Sequence, residues 1–209
     1  MHNYLPEFLT VVLVHLLGVM SPGPDFAMIT RSSLVYSRKT GIYSALGLAL
    51  GILVHVTYSL IGIGLIISKS IVLFSTIKFI GAGYLIWIGY KSLRSKPNED
   101  KEKVVEKKDI GTFAAIRLGF FTNVLNPKVT LFFLALFTQV ISPSTPFAIR
   151  IIYGIETSLM TFLWFGLVAL VFSNPRIKQS FSRVQHHFEK VFGALLIALG
   201  IKVALSKAK

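Results

Sequence analysis

Six stretches of the chain are almost continuously apolar, and most polar residues gather between them. An α-helix needs about 20 residues to cross a hydrocarbon core about 30 Å thick. A soluble helix would also keep a polar stripe, but residues 60–67 and 163–172 are apolar on nearly every side. The pattern therefore predicts an all-α integral membrane protein with six transmembrane helices, at residues 8–29, 41–67, 71–90, 112–141, 147–172 and 188–205.

Proline interrupts the first and the fourth of these segments. The first contains Ser21-Pro22-Gly23-Pro24-Asp25, and the fourth contains Asn126-Pro127-Lys128. Proline has no backbone N–H and clashes with the preceding turn, so each helix must stop or kink there. A break exposes backbone groups and charges inside the membrane, which is tolerated only where they line a cavity. Paired breaks in two halves of a chain predict the substrate site of a transporter.

The two halves of the chain also repeat. Residues 19–22 align with residues 124–127, and residues 78–91 resemble residues 190–202 with one residue deleted. Each half holds three segments, and an odd number makes the second copy enter the membrane from the opposite side. We therefore predict two inverted three-helix repeats, with chance similarity among apolar segments as the alternative. The predicted parts are residues 1–94, a charged cytoplasmic linker at 95–110 in which nothing suggests a site, and residues 111–209.

Positive charge follows the same segmentation. The chain carries 22 Lys and Arg against 9 Asp and Glu, and most of the basic residues lie in the first, third and fifth connections between segments. Basic connections stay on the cytoplasmic side, so both termini are predicted to be periplasmic. Lys202, Lys207 and Lys209 oppose this orientation. The net charge of +13 is thus a topology signal and does not indicate nucleic-acid binding.

Asp25 and Lys128 are charged residues deep within membrane segments, and each follows a proline. If Pro24 is aligned with Pro127, the two residues become symmetry equivalents, whereas the alignment of Pro22 with Pro127 displaces them by two residues. Opposite charges across one cavity would suit a ligand that carries both, with Asp25 near an ammonium group and Lys128 near a carboxylate. Two structural alternatives remain open. Asp25 could be the N-cap of the second half-helix, or the two residues could form an ion pair without a ligand.

His55 and Glu156 are the candidates for proton coupling. His55 follows Gly47 and Gly51 at four-residue spacing, which places all three on one narrow helix face. Small residues let a neighbouring backbone approach and so turn His55 toward the bundle interior, where it could relay protons or only bond a backbone group. Glu156 lies about a third of the way into the fifth segment, where an unpaired carboxylate would cost on the order of 3 kcal/mol.

Other polar residues have smaller predicted roles. His15 is expected to pack or to pair locally. Neutral hydrogen bonds to a ligand could come from Asn123, Asn126, Tyr58 and Gln139.

Five motifs occur together along the chain. They are Ser21-Pro22-Gly23-Pro24-Asp25; residues 47–55; Gly81-Ala82-Gly83-Tyr84-Leu85 with Gly89; Gly119-Phe120-Phe121-Thr122-Asn123 leading into Asn126-Pro127-Lys128; and residues 193–200. With this combination the sequence resembles the LysE/RhtB family of bacterial amino-acid exporters over its full length. The resemblance implies a six-helix inner-membrane exporter of amino acids or close derivatives, working against inward proton flow. Thr138, where members often have proline, is a departure at the exit end of the fourth segment.

The sequence thus predicts a secondary exporter of small zwitterionic amino acids and not an enzyme. No nucleotide-binding motif is present, so the energy is expected from a proton or other ion gradient. The expected partners are the amino-acid substrate, this gradient and the lipid bilayer of the bacterial inner membrane, with or without assembly into a homo-oligomer. No cofactor or metal is expected, and the absence of cysteine excludes disulfides and thiolate metal sites.

Two other classes of function compete with this prediction. Export or channelling of an inorganic cation would need more oxygen or sulfur ligands than Asp25, Glu156 and a few amides provide. An intramembrane hydrolase would need a nucleophile paired with a base, and Ser21 with His15 or His55 is the candidate pair.

Overall fold

The described part of the chain is helical. In the computed structural model it comprises residues 4–21, 23–69, 71–94, 109–142 and 144–174, together with 177, 187, 190, 191, 193, 194, 196–198, 200, 201, 204 and 205. No strand occurs among these residues. The helices are α1 (Leu5–Met20), α2 (Pro24–Val35), α3 (Arg38–Lys69), α4 (Ile71–Leu93), α5 (Thr112–Val124), α6 (Pro127–Gln139) and α7 (Phe147–Val171).

Both predicted breaks separate two helices. The axes of α1 and α2 meet at 56°, and those of α5 and α6 meet at 61°. The second helix of each pair begins with a proline, Pro24 in α2 and Pro127 in α6. Proline suits this position because the first N–H groups of a helix have no acceptor within the helix. The residues that follow, Asp25 and Lys128, therefore hold equivalent positions in the two half-helices.

The structure contains two to four candidate membrane spans within its described residues. Residues Arg38–Ile61 of α3 and Phe147–Val171 of α7 are each long and apolar enough to cross a membrane, and each bent pair adds one span if it is counted as a single segment. The predicted third segment is helical as α4, and the described residues of the predicted sixth segment, 11 of its 18, are helical as well. Residues 95–108 of the linker lie outside the described residues. The protein is accordingly an all-helical, multi-pass membrane protein.

Glycines let α3 and α5 pack backbone against backbone. An added Cβ on Gly47 would collide with a backbone carbonyl oxygen of α5, and one on Gly119 would collide with a backbone carbonyl oxygen of α3. Gly51 faces the side chain of Asn123, whose Oδ1 would lie 2.6 Å from an added Cβ. The glycine face of α3 therefore has the close neighbour that its spacing indicated, and His55 lies one turn beyond it.

Contacts between helices fix their relative directions. α1 is parallel to α7 and α5 is parallel to α3, whereas α3 and α7 are antiparallel. The contacts that show this are Phe8 with Tyr153 and His15 with Thr161; Ser44 with Gly119 and Gly51 with Asn123; and Ala49 with Ser158 and Val56 with Gly154. It follows that α1 and α5 are antiparallel, so their N-terminal ends lie at opposite ends of the bundle.

Candidate functional site

The two breaks meet through the carboxylate of Asp25. Asp25 is the second residue of α2, is buried, and accepts hydrogen bonds from Asn123 Nδ2 at 2.7 Å and Asn126 Nδ2 at 2.9 Å. Asn123 lies near the end of α5 and Asn126 lies in the break before α6. Two amides from the second half of the chain therefore hold the acidic group of the first half. Hydrogen bonds to an ionised group are stronger than neutral ones, which favours a defined position for the carboxylate.

The alternative that Asp25 is a helix cap is wrong. The N-cap of α2 is Gly23, and no side chain caps that helix. The side chain of Asp25 bonds the other half of the chain instead. The capping role is found at the second break, where Asn126 Oδ1 accepts a hydrogen bond from the backbone N–H of Lys128 at 3.1 Å.

Lys128 reaches in the opposite direction, to the first break. Its Nζ donates to Ser21 Oγ at 2.7 Å and contacts the Ser21 carbonyl oxygen at 3.4 Å. Gly23 lies beneath it, with Nζ 3.4 Å from the position of an added Cβ. A cation at the positive N-terminal end of α6 is electrostatically unfavourable by itself, so its neighbours must compensate. Asp25 is one such neighbour, because its carboxylate lines the same cavity.

His55 joins the same cluster from α3. Its Nε2 lies 3.1 Å from the carbonyl oxygen of Asn123, and its Nδ1 lies 2.6 Å from the hydroxyl of Tyr58. The Tyr58 hydroxyl in turn lies 3.3 Å from the carbonyl oxygen of Thr130 in α6. The His55 ring stacks on Phe133, with the centroids 5.9 Å apart. His55 therefore connects to Asp25 through Asn123, and not by a direct hydrogen bond among those described.

The His55 and Tyr58 pair accommodates two protonation states. A carbonyl oxygen can only accept, so Nε2 donates to Asn123 in both states. With neutral His55, the Tyr58 hydroxyl donates to Nδ1. With protonated His55, Nδ1 donates to Tyr58, and the Tyr58 proton then turns to the Thr130 carbonyl oxygen. One added proton reverses the hydrogen bond between His55 and Tyr58 and frees the Tyr58 proton to donate to the Thr130 carbonyl oxygen, so both ring nitrogens of His55 keep a partner in either state.

The charged residues Asp25 and Lys128 and the two amides line a cavity with a volume of about 50 Å³, whereas His55 and Tyr58 are not among its lining residues. A cavity needs about 10–15 Å³ of such volume to hold one water, so this cavity has room for several waters or one small solute. Its walls combine the charged cluster with aromatic rings. It is lined by His15, Gly18, Val19, Ser21, Gly23, Asp25, Phe26, Ile52, Asn123, Asn126, Lys128, Val129, Phe132, Phe133, Thr161, Phe165 and Leu196.

Other predicted residues lie elsewhere. Glu156 is on α7 and does not line this cavity, and both of its carboxylate oxygens are buried without a hydrogen-bond partner among the described residues. Pro22 and the side chain of Gln139 lie outside the described residues. No group of three or more His, Cys, Asp or Glu residues in the described ranges could hold a metal ion.

Sequence reasoning missed three polar residues of the cavity. Ser21 was considered as part of the break and as a nucleophile but not as a partner of Lys128, and Thr161 was not predicted to have a role. His15 was expected to pack or to pair locally; it packs against Phe132 and Phe133, but its hydrogen-bond partner is not local, because Nε2 lies 3.3 Å from the Thr161 hydroxyl, 146 positions away. A signal existed for His15, since it shares a helix face with Gly18 and Val19 at i+3 and i+4. For Thr161 the signal is its four-residue spacing from Thr157 and Phe165.

Comparison with known proteins gives one consistent result. The family described as LysE type translocator matches residues 16–207. The threonine efflux protein of Escherichia coli (strain K12) is 31% identical over 206 residues, which cover 96% of this chain and 98% of that protein. An uncharacterized membrane protein of Bacillus subtilis (strain 168), YrhP, is 29% identical over 208 residues, covering 96% and 99%. No solved structure matches the chain.

Proposed function

The chain belongs to the family of LysE type translocators, and from this premise we propose that it is a secondary exporter of small amino acids driven by proton antiport. The family assignment makes it a translocator and not an enzyme. Its proposed location is the bacterial inner membrane. The threonine efflux relative supports amino acids as the substrate class, with small neutral or hydroxylated side chains among them.

The crosswise binding of the two charged residues carries this proposal. Asp25 bonds amides of the second half, and Lys128 bonds Ser21 of the first half, beside one cavity. A zwitterion carries an ammonium group and a carboxylate on one carbon atom. We assign the ammonium group to Asp25 and the carboxylate to Lys128, with Asn123 and Asn126 as neutral donors. A zwitterion leaves the net charge of the site unchanged, whereas a ligand with a single charge would add a net charge there, which is costly away from water.

Competition at Asp25 supplies the proposed coupling. A carboxylate can hold an ammonium group or a proton but not easily both, so proton entry would release the substrate outward. His55 is the proposed proton donor and acceptor next to Asp25, because its bonds to Tyr58 and Asn123 accommodate either protonation state. Glu156 is a second proposed coupling residue, acting from α7 outside the cavity.

The proposed architecture has six transmembrane helices in two inverted repeats. Residues 1–94 and 111–209 would be the repeats, joined by a cytoplasmic linker at 95–110, with both termini periplasmic. The helix directions support this arrangement. In an inverted repeat α5 would be the counterpart of α1, and α7 the counterpart of α3. The two observed parallel pairs, α1 with α7 and α5 with α3, are then counterparts of each other. The equivalent positions of Pro24 and Pro127 support it as well.

Efflux from vesicles that contain only the purified protein and lipid tests the proposed function. We expect radiolabelled small amino acids to move, and an imposed pH gradient to increase their movement. Asp25→Asn should keep the fold, because Asn preserves the shape of the side chain, and should abolish the response to the gradient. Thr30→Val on the same helix is the matched control, since the described hydrogen bonds of that hydroxyl reach only carbonyls of its own helix. Movement of a metal ion with none of the amino acids would overturn the proposal.

A further inference from the structure

The cavity has a second polar end, formed by His15 and Thr161. Both side chains line the cavity, and their exposed fractions are 1% and 0%. Six positions separate His15 from Ser21, which corresponds to about 9 Å along a helix axis. The rings of Phe132 and Phe133 pack against His15, with centroids 6.3 and 5.8 Å away. The charged cluster and this pair are therefore two separate polar features of one partly aromatic cavity.

His15 lacks one of its two hydrogen bonds. Nε2 contacts the Thr161 hydroxyl at 3.3 Å, and Nδ1 is buried without a partner in the described part of the chain. Buried polar atoms in native proteins are bonded in the large majority of cases. Nδ1 can donate or accept depending on the tautomer, and the Thr161 hydroxyl can do both. The pair can therefore complete its hydrogen bonds with a group that also donates and accepts, such as a hydroxyl.

We infer that His15 and Thr161 recognise a hydroxyl group on the side chain of the transported amino acid. The inference rests on the proposed function, because it assumes that Asp25 and Lys128 hold the ammonium and carboxylate groups. The side chain would then extend between the aromatic rings toward His15. An apolar side chain of the same shape would leave Nδ1 of His15 unsatisfied, and a site built to bond a hydroxyl discriminates against analogues that lack it.

Transport of an isosteric pair tests this inference. Threonine and valine have nearly the same shape and differ by a hydroxyl in place of a methyl group, so their efflux rates are compared in vesicles. We expect the wild type to favour threonine by roughly threefold to tenfold, the factor that one net hydrogen bond supplies. Thr161→Val and His15→Phe should reduce this ratio to about one while valine transport persists, and Thr161→Ser should restore it.

The outcomes separate this inference from the proposed function. If the wild type moves neither amino acid nor any other small one, the proposed function fails. If it moves both and the variants leave the ratio unchanged, the proposed function stands and the inference is overturned, since His15 is then satisfied by water or serves packing alone. Thr161→Val changes one polar atom at constant volume, so it keeps the test decisive even if His15→Phe does not accumulate.

A different observation concerns the two ends of the bundle. Glu7, in the first turn of α1, accepts hydrogen bonds from the Ser142 N–H and the Thr145 hydroxyl, each at 2.8 Å. Asp109, just before α5, accepts hydrogen bonds from the hydroxyls of Ser37, at 2.7 Å, and Thr40. In both cases an acid near the first residue of α1 or α5 accepts hydrogen bonds from residues at or just before the start of a helix in the other half. That helix is α7 for Glu7 and α3 for Asp109. Asp109 lies at the end of the predicted linker, in which the sequence suggested no site.

The residues that donate in the two contacts are equivalent by sequence position, whereas Asp109 follows Glu7 by 102 positions. Ser142 follows Ser37 by 105 positions, and Thr145 follows Thr40 by the same number. Residues 124–127 follow residues 19–22 by 105 positions as well. Because α1 and α5 are antiparallel, the two contacts lie at opposite ends of the bundle. The shared register of the donors, with an acid as the acceptor in both contacts, is not expected from chance similarity of apolar segments.

We propose that these contacts are a pair of latches, each of which closes the cavity toward one side of the membrane. The Glu7 latch joins α1 to the start of α7, and the Asp109 latch joins α5 to the start of α3. Both are engaged here, and Asp25 in the cavity is buried. Opening toward either side then requires release of the latch on that side while the other stays closed.

Labelling of a single cysteine tests the latches without any substrate. The chain has no cysteine, so Val129→Cys places one reactive thiol at the cavity. A membrane-impermeant thiol reagent is applied from each side in turn. Glu7→Ala should increase labelling from one side, and Asp109→Ala should increase it from the other, each by roughly threefold or more, which corresponds to loss of one interhelical hydrogen bond.

Matched controls and outcomes follow from the same contacts. Thr10→Val on α1 and Thr122→Val on α5 change hydroxyls whose described bonds reach only carbonyls of their own helices, and they should not alter labelling. Glu7→Gln and Asp109→Asn serve as second variants if the alanine variants accumulate poorly. An increase from the same side for both latch variants, or an increase for neither, overturns the proposal.

Discussion

The side chains of Asp25 and Lys128 each bond to the half of the chain to which they do not belong. This exchange makes the site sensitive to single atoms, because each charged group is held by polar atoms of the other half. Asp25 depends on two amide nitrogens, and the described bonds of the Lys128 ammonium group go to Ser21. Single substitutions here should therefore affect transport before they affect folding.

Lys128→Ala should reduce efflux by roughly tenfold or more at near-normal protein levels, since a hydrogen bond to a charged group contributes about 1.5–3 kcal/mol. Lys128→Arg should also be poor, because a planar guanidinium does not replace a compact ammonium group between Ser21 and Gly23. Efflux is measured in vesicles at matched protein amounts. Normal efflux by the alanine variant would leave Lys128 with a structural role only.

Tyr58→Phe should separate proton coupling from binding. It removes the hydroxyl that exchanges protons with His55 Nδ1 but leaves the bond between Nε2 and Asn123. We expect gradient-driven efflux to fall severalfold while exchange without a gradient continues. Tyr84→Phe on α4 is the control, because no described hydrogen bond joins Tyr84 to this network. Equal responses to the gradient in wild type and Tyr58→Phe would remove His55 from the coupling proposal.

Asp109 should contribute to stability only where it is ionised. Hydrogen bonds from the hydroxyls of Thr40 and then Ser37 hold the pKa of Asp109 below its ordinary value. A carboxyl group whose pKa is lower in the folded protein than in the unfolded chain stabilises the folded state at pH values above its unfolded pKa, about 3.9. This stabilisation is lost as the pH falls through the pKa of the folded state. The thermal stability of Asp109→Asn should thus be below wild type at pH 7, and the difference should shrink near pH 3. A constant difference would contradict this.

At the scale of helices, the contact between α3 and α5 positions the site. Backbone approaches backbone at Gly47 and Gly119, and this approach brings His55 of α3 to the Asn123 carbonyl oxygen. The contact has no flexible side chain that could move aside. The polar cluster therefore depends on small residues at positions that carry no chemistry of their own.

Gly47→Ala should destabilise the protein by about 1–3 kcal/mol, the usual cost of overpacking, because the added Cβ meets the α5 backbone. Gly166→Ala on α7 is the matched control. Nothing lies within 4 Å of its added Cβ, so the change should be neutral or stabilising by up to about 1 kcal/mol through higher helix propensity. Thermal unfolding in detergent distinguishes the two, and equal stability of both variants would contradict the packing argument.

At the scale of the whole molecule, orientation in the membrane follows from charge. The odd-numbered connections carry most Lys and Arg, so residue 98 is predicted to be cytoplasmic and both termini periplasmic. Reporter enzymes fused at Asn98 and at Lys209 should be active on opposite sides. Activity at Lys209 of a reporter that works only in the cytoplasm would contradict the six-segment topology.

The sequence by itself determined the class of protein, the breaks and the charged residues at them. These follow from local physics, because proline ends a helix wherever it falls, and a charge in an apolar segment requires a polar neighbourhood. Pro24 and Pro127 could be identified in this way, and so could Asp25, Lys128 and the glycine face that leads to His55.

Only the tertiary structure decided which groups meet. Asp25 could have capped its own helix, and nothing in its sequence neighbourhood indicated that Asn123 and Asn126 would hold it instead. His15 pairs with Thr161, which lies on a different helix. Glu156 lies within an apolar stretch of the sequence, as the cavity residues Asp25 and Lys128 do, yet it does not line the cavity. Partners of this kind depend on how helices far apart in the chain are rotated and packed, which periodicity along one helix does not specify.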